Sequence, residues 1–345
     1  MAVVTRITSN MVMRNYNSNL TRALSDLETN RKRVETGMKI SKSYEDPSAA
    51  AKSAILERRY LRNDDYTTNA KNIQNWLYAQ DSMTSDLVSA GSEIVENYAT
   101  SAANDTNQTV RDAYAAEMRS MQKSMVLTLN TKYSNAFIAA GQDGTDAPFE
   151  LIDNADGTQT LTYRGIDVNA APGTDDYKKL QALSQEQTFV DLGFGLTDQA
   201  GNVTDATALN VSLPGINLVG WGQDADGRPQ NVILLAGEMA KKLEEGTTGG
   251  TFDREEYGKL WDNFHTQFDK MVNQYTDLGT KEQLVDATVD RLETEKVNLT
   301  TQINDTINID PAEAITDYSW AMYAYNTSLK VGTNIITPSL VDFLQ

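Results

Sequence analysis

The sequence of 345 residues contains no cysteine and a single histidine, His265. Disulfides, iron–sulfur clusters, thiolate zinc sites and metal sites built on several histidines are therefore excluded. No stretch approaches about 18 consecutive apolar residues, so we expect no membrane insertion. The first residues, MAVVTRITSNMVMRNY, place arginine and asparagine where a secretory signal needs an apolar run. If the protein is secreted, we expect export without a cleaved signal peptide.

The chain has fewer basic than acidic residues, 30 against 48, and the basic residues are unevenly distributed along it. The net charge is −18, which repels phosphates, so we expect no nucleic acid partner. Residues 1–60 hold eleven Lys and Arg against six Asp and Glu, whereas residues 141–230 hold four against fourteen. Residues 141–230 also hold twelve of the 21 glycines and four of the seven prolines. The composition thus predicts a helical start, a turn-rich acidic centre and a helical end.

Both ends carry an apolar seam of the spacing typical of coiled coils, and each contains an Asp-Pro pair. Asp46-Pro47 and Asp310-Pro311 predict helix starts, because Asp caps free amides and Pro fits the first helical position. The N-terminal seam consists of Met13, Leu20, Leu24, Leu27, Val34 and Met38. The last helix is predicted to present Ile315, Tyr318, Met322, Tyr325, Leu329 and Ile336.

The centre is predicted to contain β structure. The segments 149–152 and 161–163 flank the turn sequence Asn154-Ala-Asp-Gly157, and 210–213 and 216–219 flank a Pro-Gly turn. No clear period is present in 170–208. The expected fold class is α+β, mainly α, with long N- and C-terminal helices in an antiparallel coiled-coil bundle and a β-rich middle domain inserted.

Five segments are predicted from these patterns. They are an N-terminal helical assembly segment (1–45), a helical rod domain in two parts (46–140 and 231–310), an acidic β-rich middle domain (141–230) and a C-terminal helical assembly segment (311–345).

Amphipathic helices at both ends need a surface on which to bury their seams, because isolated helices of this composition are marginal in water. The two ends can pair with each other, and the seam that remains must meet other copies. An ordinary intramolecular core is the competing interpretation. The predicted assembly interface consists of Ile7, Met11, Met13, Leu20, Leu24, Leu27, Val34, Ile315, Tyr318, Met322, Tyr325, Leu329, Ile336, Leu340, Phe343 and Leu344.

Signals for catalysis and for bound groups are weak. We interpret His265, between Phe264 and Phe268, as a helix-packing residue, since no nucleophile-elbow sequence accompanies it. The acidic stretches 153–157 and 224–227 resemble calcium loops but lack the twelve-residue pattern with its closing Glu, and turn chemistry explains both. We therefore expect no enzyme activity, no cofactor and no metal.

Several motifs resemble those of the flagellin superfamily, and in particular the family of hook–filament junction proteins, the third hook-associated family. The resemblance covers roughly 150 residues at the N-terminal end and 60 at the C-terminal end. Its motifs are Ile7-Thr-Ser-Asn-Met11, Asp46-Pro47, Asn130-Thr-Lys-Tyr133, Gly141, Ala147-Pro-Phe149, Ala312-Glu-Ala-Ile-Thr316 and Pro338-Ser-Leu-Val-Asp-Phe-Leu344.

The resemblance implies a structural subunit of the bacterial flagellum, outside the cell, that joins the hook to the filament by helical packing of its terminal segments. The implied partners are further copies in a ring, a neighbouring hook-associated protein, flagellin, and an export chaperone at the C-terminal helix. Export would follow the flagellar type III route. Three alternatives stay open: a flagellin filament subunit, a secreted coiled-coil adhesin, and a secreted enzyme on a helical stalk.

Overall fold

The structure is a computed structural model that describes residues 9–104, 106–154, 158–193, 208–245 and 251–341, without the side chains of residues 9, 98 and 334–341. The chain forms two compact units. The first unit consists of Met1–Asp64 and Glu293–Gln345, and the second of Asp65–Leu292. The five segments proposed from composition stay a prediction.

Helices dominate the described residues, which agrees with the expected fold class. The α-helices are α1 (Ser9–Thr36), α2 (Pro47–Glu93), α3 (Thr100–Asn104), α4 (Gln108–Leu129), α5 (Asp175–Ser184), α6 (Gly215–Val219), α7 (Val232–Glu244), α8 (Arg254–Ile307) and α9 (Pro311–Val341). The strands are β1 (Lys132–Tyr133), β2 (Ala136–Phe137), β3 (Phe149–Asp153), β4 (Gln159–Tyr163), β5 (Ile166–Asp167), β6 (Phe189–Val190) and β7 (Leu209–Asn210).

Both predicted helix starts in the first unit are confirmed. The carboxylate of Asp46 accepts a hydrogen bond from the Ala49 N–H at 3.0 Å, and α2 begins at Pro47. The carboxylate of Asp310 accepts one from the Ala312 N–H at 2.7 Å, ahead of Pro311 in α9. In each case the Asp side chain satisfies a free amide of the first turn, and the proline has no amide to satisfy.

The β hairpin predicted for the centre is also confirmed. Strands β3 and β4 pair antiparallel from Phe149 opposite Tyr163 to Asp153 opposite Gln159, and β5 extends the sheet beyond β4. The side chain of Asn130, just after α4, accepts from the Phe149 N–H at 3.0 Å and donates to the Phe149 carbonyl at 2.8 Å. These two hydrogen bonds satisfy the backbone N–H and carbonyl of Phe149 at the start of the edge strand β3.

A buried core holds the second unit together. Helix α4 packs along α7, and both helices contact the sheet through β3 and β4. Its largest fully buried side chains include Tyr163, Tyr257, Phe149, Phe264 and Leu161. Burial raises the pKa of both tyrosines, because a phenolate is costly away from water.

The prediction of a second pair of strands, at 210–213 and 216–219, is wrong. Strand β7 is only Leu209–Asn210, and the residues after the Pro-Gly turn form the short helix α6. Ile216, Leu218 and Val219 are all buried, so the segment faces the core on every side rather than on alternate sides. In the stretch left unassigned, Thr174 caps α5 by accepting a hydrogen bond from the Tyr177 N–H at 3.2 Å.

The helix that starts after Asp46 is long and ends irregularly. Helix α2 runs for 47 residues, and a six-residue π-helix (Ile94–Ala99) follows it. The Tyr257 hydroxyl donates a hydrogen bond of 3.0 Å to the Ala99 carbonyl at the end of this π-helix. Widened helical turns disturb the backbone ladder, and here a buried phenol supplies one of the donors.

Three acidic side chains converge between α2 and α8 in the second unit. Burial, followed by the charges of Asp81 and Asp286, raises the pKa of Glu282 above its ordinary value of 4.5. One Glu282 carboxylate oxygen is buried and has no hydrogen-bond partner among the described residues. The Gln74 amide at 2.8 Å and the Tyr78 hydroxyl at 3.0 Å donate to Asp286 instead.

We predict that Glu282→Gln stabilises the protein at neutral pH. A raised folded-state pKa means that the folded chain binds the proton more tightly, so the wild type gains stability as pH falls through that pKa towards 4.5. The advantage of the variant should shrink over the same interval. Thermal unfolding between pH 4 and 8 measures it, with Asp290→Asn, an exposed carboxylate on α8, as the control. A variant less stable than wild type at pH 7 would contradict the assignment.

Candidate assembly surface

The two terminal helices of the first unit lie antiparallel against each other. Gly37, at φ +70°, ends α1 in the left-handed conformation that glycine adopts without strain. A short bridge then links the loop to the chain before α9: the Lys39 N–H donates to the Ile307 carbonyl at 2.6 Å, and the Ile309 N–H donates to the Gly37 carbonyl at 3.0 Å. This bridge fixes the register of α1 against α9.

The face of α9 that meets α1 is made of small residues and tyrosines. These residues recur at intervals of three and four, which is the spacing of one helix face. Ala314, Ala321 and Gly332 are buried, while Tyr318, Tyr325 and Ser328 are half-buried. A Cβ atom added at Gly332 would overlap the ring of Tyr16 on α1. The glycine therefore leaves room for the Tyr16 side chain against α9.

The contacting face of α1 is only partly covered. Met13, Tyr16, Leu20, Ala23 and Leu27 are half-buried, so the N-terminal seam meets α9 without forming a closed core. Where α2 begins and α8 ends, side chains of the first unit are more fully buried than those between α1 and α9. Leu56 and Leu299 are buried, and the Lys296 ammonium lies 2.6 Å from the Asp64 carboxylate.

The predicted interface residues divide into three groups. Ile7, Phe343 and Leu344 lie outside the described residues, and Ile336 and Leu340 belong to α9 without described side chains. The half-buried members are Met13, Leu20, Leu27, Tyr318 and Tyr325. The exposed members are Met11, Leu24, Val34, Ile315, Met322 and Leu329.

One group of exposed residues forms a continuous stripe on α9. Ile315, Met322 and Leu329 are 56%, 43% and 40% exposed and follow one another at intervals of seven residues. At 3.6 residues per turn, this stripe lies roughly 80° around the helix from the line of Ala321 and Gly332 that faces α1. We call these three residues the heptad stripe. Within the described first unit, α1 leaves it uncovered.

The sequence analysis missed a second group on the opposite flank of α9. Trp320 and Tyr323 are 67% and 65% exposed, and their rings meet edge to face with centroids 6.3 Å apart. Val331 is exposed on the same side. The available signal was the presence of large apolar residues at positions that a single 3–4 seam leaves out. Large exposed apolar residues on both sides of one contact line, with aromatic rings among them, are typical of interaction surfaces.

Neither His265 nor the acidic stretch 224–227 develops into a site among the described residues, and residues 155–157 of the other acidic stretch lie outside them. His265, interpreted as a packing residue, lies on an exposed side of α8, where its ring rests at the edge of Trp261 and its Nδ1 is 3.4 Å from Asp269. In the loop 224–228 the Arg228 guanidinium occupies the space among the acidic groups and pairs with Asp226 at 2.7 Å. No group of three or more metal-binding side chains occurs among the described residues.

None of the described helices is long and apolar enough to cross a membrane.

Known proteins share features of this sequence and of this fold. Residues 7–143 match the family model of the bacterial flagellin N-terminal helical region. This part of the chain, which includes α1, α2 and α4, is therefore similar to the helical region of flagellins, in agreement with the motif resemblance. No curated protein matches the chain in sequence at a significant level.

Similar solved structures include a flagellar hook-associated protein and a flagellar junction protein. A structure described as a flagellar hook-associated protein from Vibrio parahaemolyticus has 14% identity and a TM-score of 0.54, over 76% of this chain and 100% of that one. FlgL from Bacillus cereus has 15% identity and a TM-score of 0.50, over 72% and 99%. The flagellar junction protein FlgL from Legionella pneumophila has 11% identity and a TM-score of 0.51, over 75% and 100%. The chain shares their fold.

We predict that Gly332→Val separates α1 from α9, because its side chain overlaps the Tyr16 ring. Amide exchange should become faster in both helices, while the second unit keeps its protection. Overpacking of this kind costs about 1–3 kcal/mol. Tyr16→Ala in the same chain should restore part of the protection, since it removes the overlapping ring.

The control is Gly279→Ala on α8, where an added Cβ meets nothing within 4 Å. It should stabilise α8 by up to about 1 kcal/mol through helix propensity. Unchanged exchange in α1 and α9 of the Gly332→Val variant would show that these helices do not pack as described.

Proposed function

We propose that this protein is a structural subunit of the bacterial flagellum that joins the hook to the filament through packing of its terminal helices. The observation that carries the proposal is the apolar surface on both flanks of α9, the heptad stripe on one side and Trp320 with Tyr323 on the other. The flagellin-type N-terminal region and the fold shared with proteins named as hook-associated or junction proteins support it.

The energetics of this surface favour assembly with several neighbours. Full burial of one large apolar side chain contributes roughly 1.5–3 kcal/mol. Six described apolar side chains on α9 are about half exposed, so covering them contributes on the order of 5–9 kcal/mol per subunit. Association costs about 4–15 kcal/mol in lost freedom of motion. A single contact is therefore marginal, whereas a ring gives every subunit two neighbours.

The partners follow from this arrangement as parts of the proposal. Further copies would cover the flanks of α9 within a ring, and a neighbouring hook-associated protein and flagellin would pack above and below. The predicted interface residues are thus proposed as contacts between subunits. Chemistry plays no part in this function, so the proposed role is that of a non-enzymatic subunit in the extracellular part of the flagellum.

A flagellin filament subunit is the second candidate, because the matched N-terminal region is that of flagellins. The two roles differ in copy number. A filament subunit dominates the protein of sheared flagella, whereas a junction subunit is a minor component. Quantitative mass spectrometry of sheared flagella separates them.

We further propose export by the flagellar type III route with a chaperone on the C-terminal helix. A chain without cysteine can be threaded unfolded, since no disulfide has to form or break. Before assembly, the exposed flanks of α9 are an aggregation hazard that a chaperone would cover. Amide exchange with and without the chaperone tests this idea. Protection should rise within 311–333, and a rise confined to the second unit would refute it.

We predict that replacing the heptad stripe abolishes assembly without unfolding the chain. The variant is Ile315→Ser, Met322→Ser and Leu329→Ser, all at positions exposed in the isolated chain. In cells that lack the wild-type gene, filaments should fail to attach to hooks. Deletion of residues 335–345 should have the same effect and leave the second unit folded.

The control is Val297→Ser on α8, which removes an apolar side chain that is more exposed than those of the stripe but lies off α9. It should support normal attachment. If the triple variant or the deletion still joined filament to hook, the terminal helices would not be the joint.

A further inference from the structure

An open groove of about 750 Å³ runs between α1 and α9 in the first unit. It lies on the flank of α9 that carries Trp320, opposite the heptad stripe. Small residues from both helices, Ala23, Ala321 and Ala324, line it beside the Trp320 ring, and charged and amide side chains complete the lining. Apolar residues accompanied by polar ones are the usual composition of a contact between proteins.

The groove and the heptad stripe have the same length. On α1 the groove extends from Asn19 to Arg33, which is about 21 Å along the helix axis. On α9 the stripe extends from Ile315 to Leu329, which is also about 21 Å. The stripe is a ridge of three large side chains, and the groove is a space left by small ones. Ridges packed into grooves are the common mode of contact between helices.

The two features also lie at the same height on the helix pair. The register of α1 against α9 is set by the bridge at Gly37 and by Tyr16 against Gly332. It places Asp26, the middle of the groove on α1, at about the height of Met322, the middle of the stripe. A neighbour placed side by side therefore presents its stripe to this groove without a shift along the helix axis. Such a contact can close into a ring instead of climbing as a helix.

A contact between identical faces would leave one flank of α9 uncovered. In a two-fold dimer each surface meets its own counterpart, so stripe would meet stripe and Trp320 would stay in solvent. A head-to-tail contact instead joins two different surfaces and covers both flanks of every subunit. The difference in shape between the two flanks fits this second arrangement.

We propose that the heptad stripe of one copy packs into the groove between α1 and α9 of the next copy. The occupant of the groove is thus a second copy of this chain, and repetition of the contact forms the ring. This inference rests on the proposed assembly role and adds the pairing mode: each subunit uses one surface towards the neighbour on its left and a different surface towards the neighbour on its right.

Cross-linking in assembled flagella tests the pairing, because the wild-type chain contains no cysteine. Met322→Cys places a thiol in the stripe, and Ala324→Cys places one in the groove. Residues two apart on a helix point about 200° from each other, so the two thiols lie on opposite flanks. A short bis-maleimide should link the chain with both cysteines into a ladder of oligomers and leave each single variant monomeric.

Dimers formed by Met322→Cys alone would show a two-fold contact and overturn the pairing. So would a double variant that attaches filaments to hooks but gives no oligomers. Failure of the proposed function would look different, because the ladder would then come from the bulk of the filament rather than from a minor component of the flagellum.

A second variant does not depend on cysteine chemistry. Ala324→Trp fills the groove at a position exposed in the isolated chain and should prevent filament attachment. The matched control is Thr316→Trp, which adds the same side chain to an exposed position of α9 that is turned away from α1 and lies outside the groove. It should support attachment, and unfolding curves check that both variants are folded. Normal attachment with Ala324→Trp would show that no neighbour occupies the groove.

Discussion

The close approach of α1 and α9 is the contact on which the first unit depends. It rests on small residues, with Gly332 against the Tyr16 ring and alanines at 314 and 321 along the same line. Small residues bring two helix backbones together but cover only a narrow strip of each surface. The large side chains of α9 therefore remain on its flanks, outside the contact. The residue choice that permits pairing within the chain thus also leaves apolar surface for other chains.

The two units differ in how completely they bury their large side chains. The second unit encloses its large side chains, including Phe149, Tyr163 and Phe264, and is stable through its own core. The first unit has half-buried seams and exposed aromatic residues such as Trp320. In the proposed assembly, such a unit would gain its remaining stabilisation from neighbours, which would couple its full folding to assembly. A subunit that must remain soluble before assembly and become rigid afterwards needs this division.

Local signals in the sequence predicted much of the fold. The caps at Asp46 and Asp310 act within one helical turn, and the apolar patterns of 149–152 and 161–163 predicted the pairing of β3 with β4. Features set by tertiary packing escaped prediction. Helix α6 buries Ile216, Leu218 and Val219, so its apolar residues do not alternate, and the π-helix at 94–99 ends on a carbonyl that accepts from a hydroxyl 158 residues away. The flank with Trp320 was missed because a heptad pattern describes one contact line, and this helix has apolar residues on three sides.

The most direct test of the central claim uses the absence of cysteine from the sequence. A single cysteine at position 322, made by Met322→Cys, reports on the heptad stripe, and one at Ile152→Cys reports on an exposed residue of the second unit. Maleimide labelling is compared between the purified chain and assembled flagella. The account predicts that position 322 reacts in the free chain and is protected after assembly, while position 152 reacts in both states. Equal labelling of position 322 in both states would contradict the claim that α9 is buried between subunits.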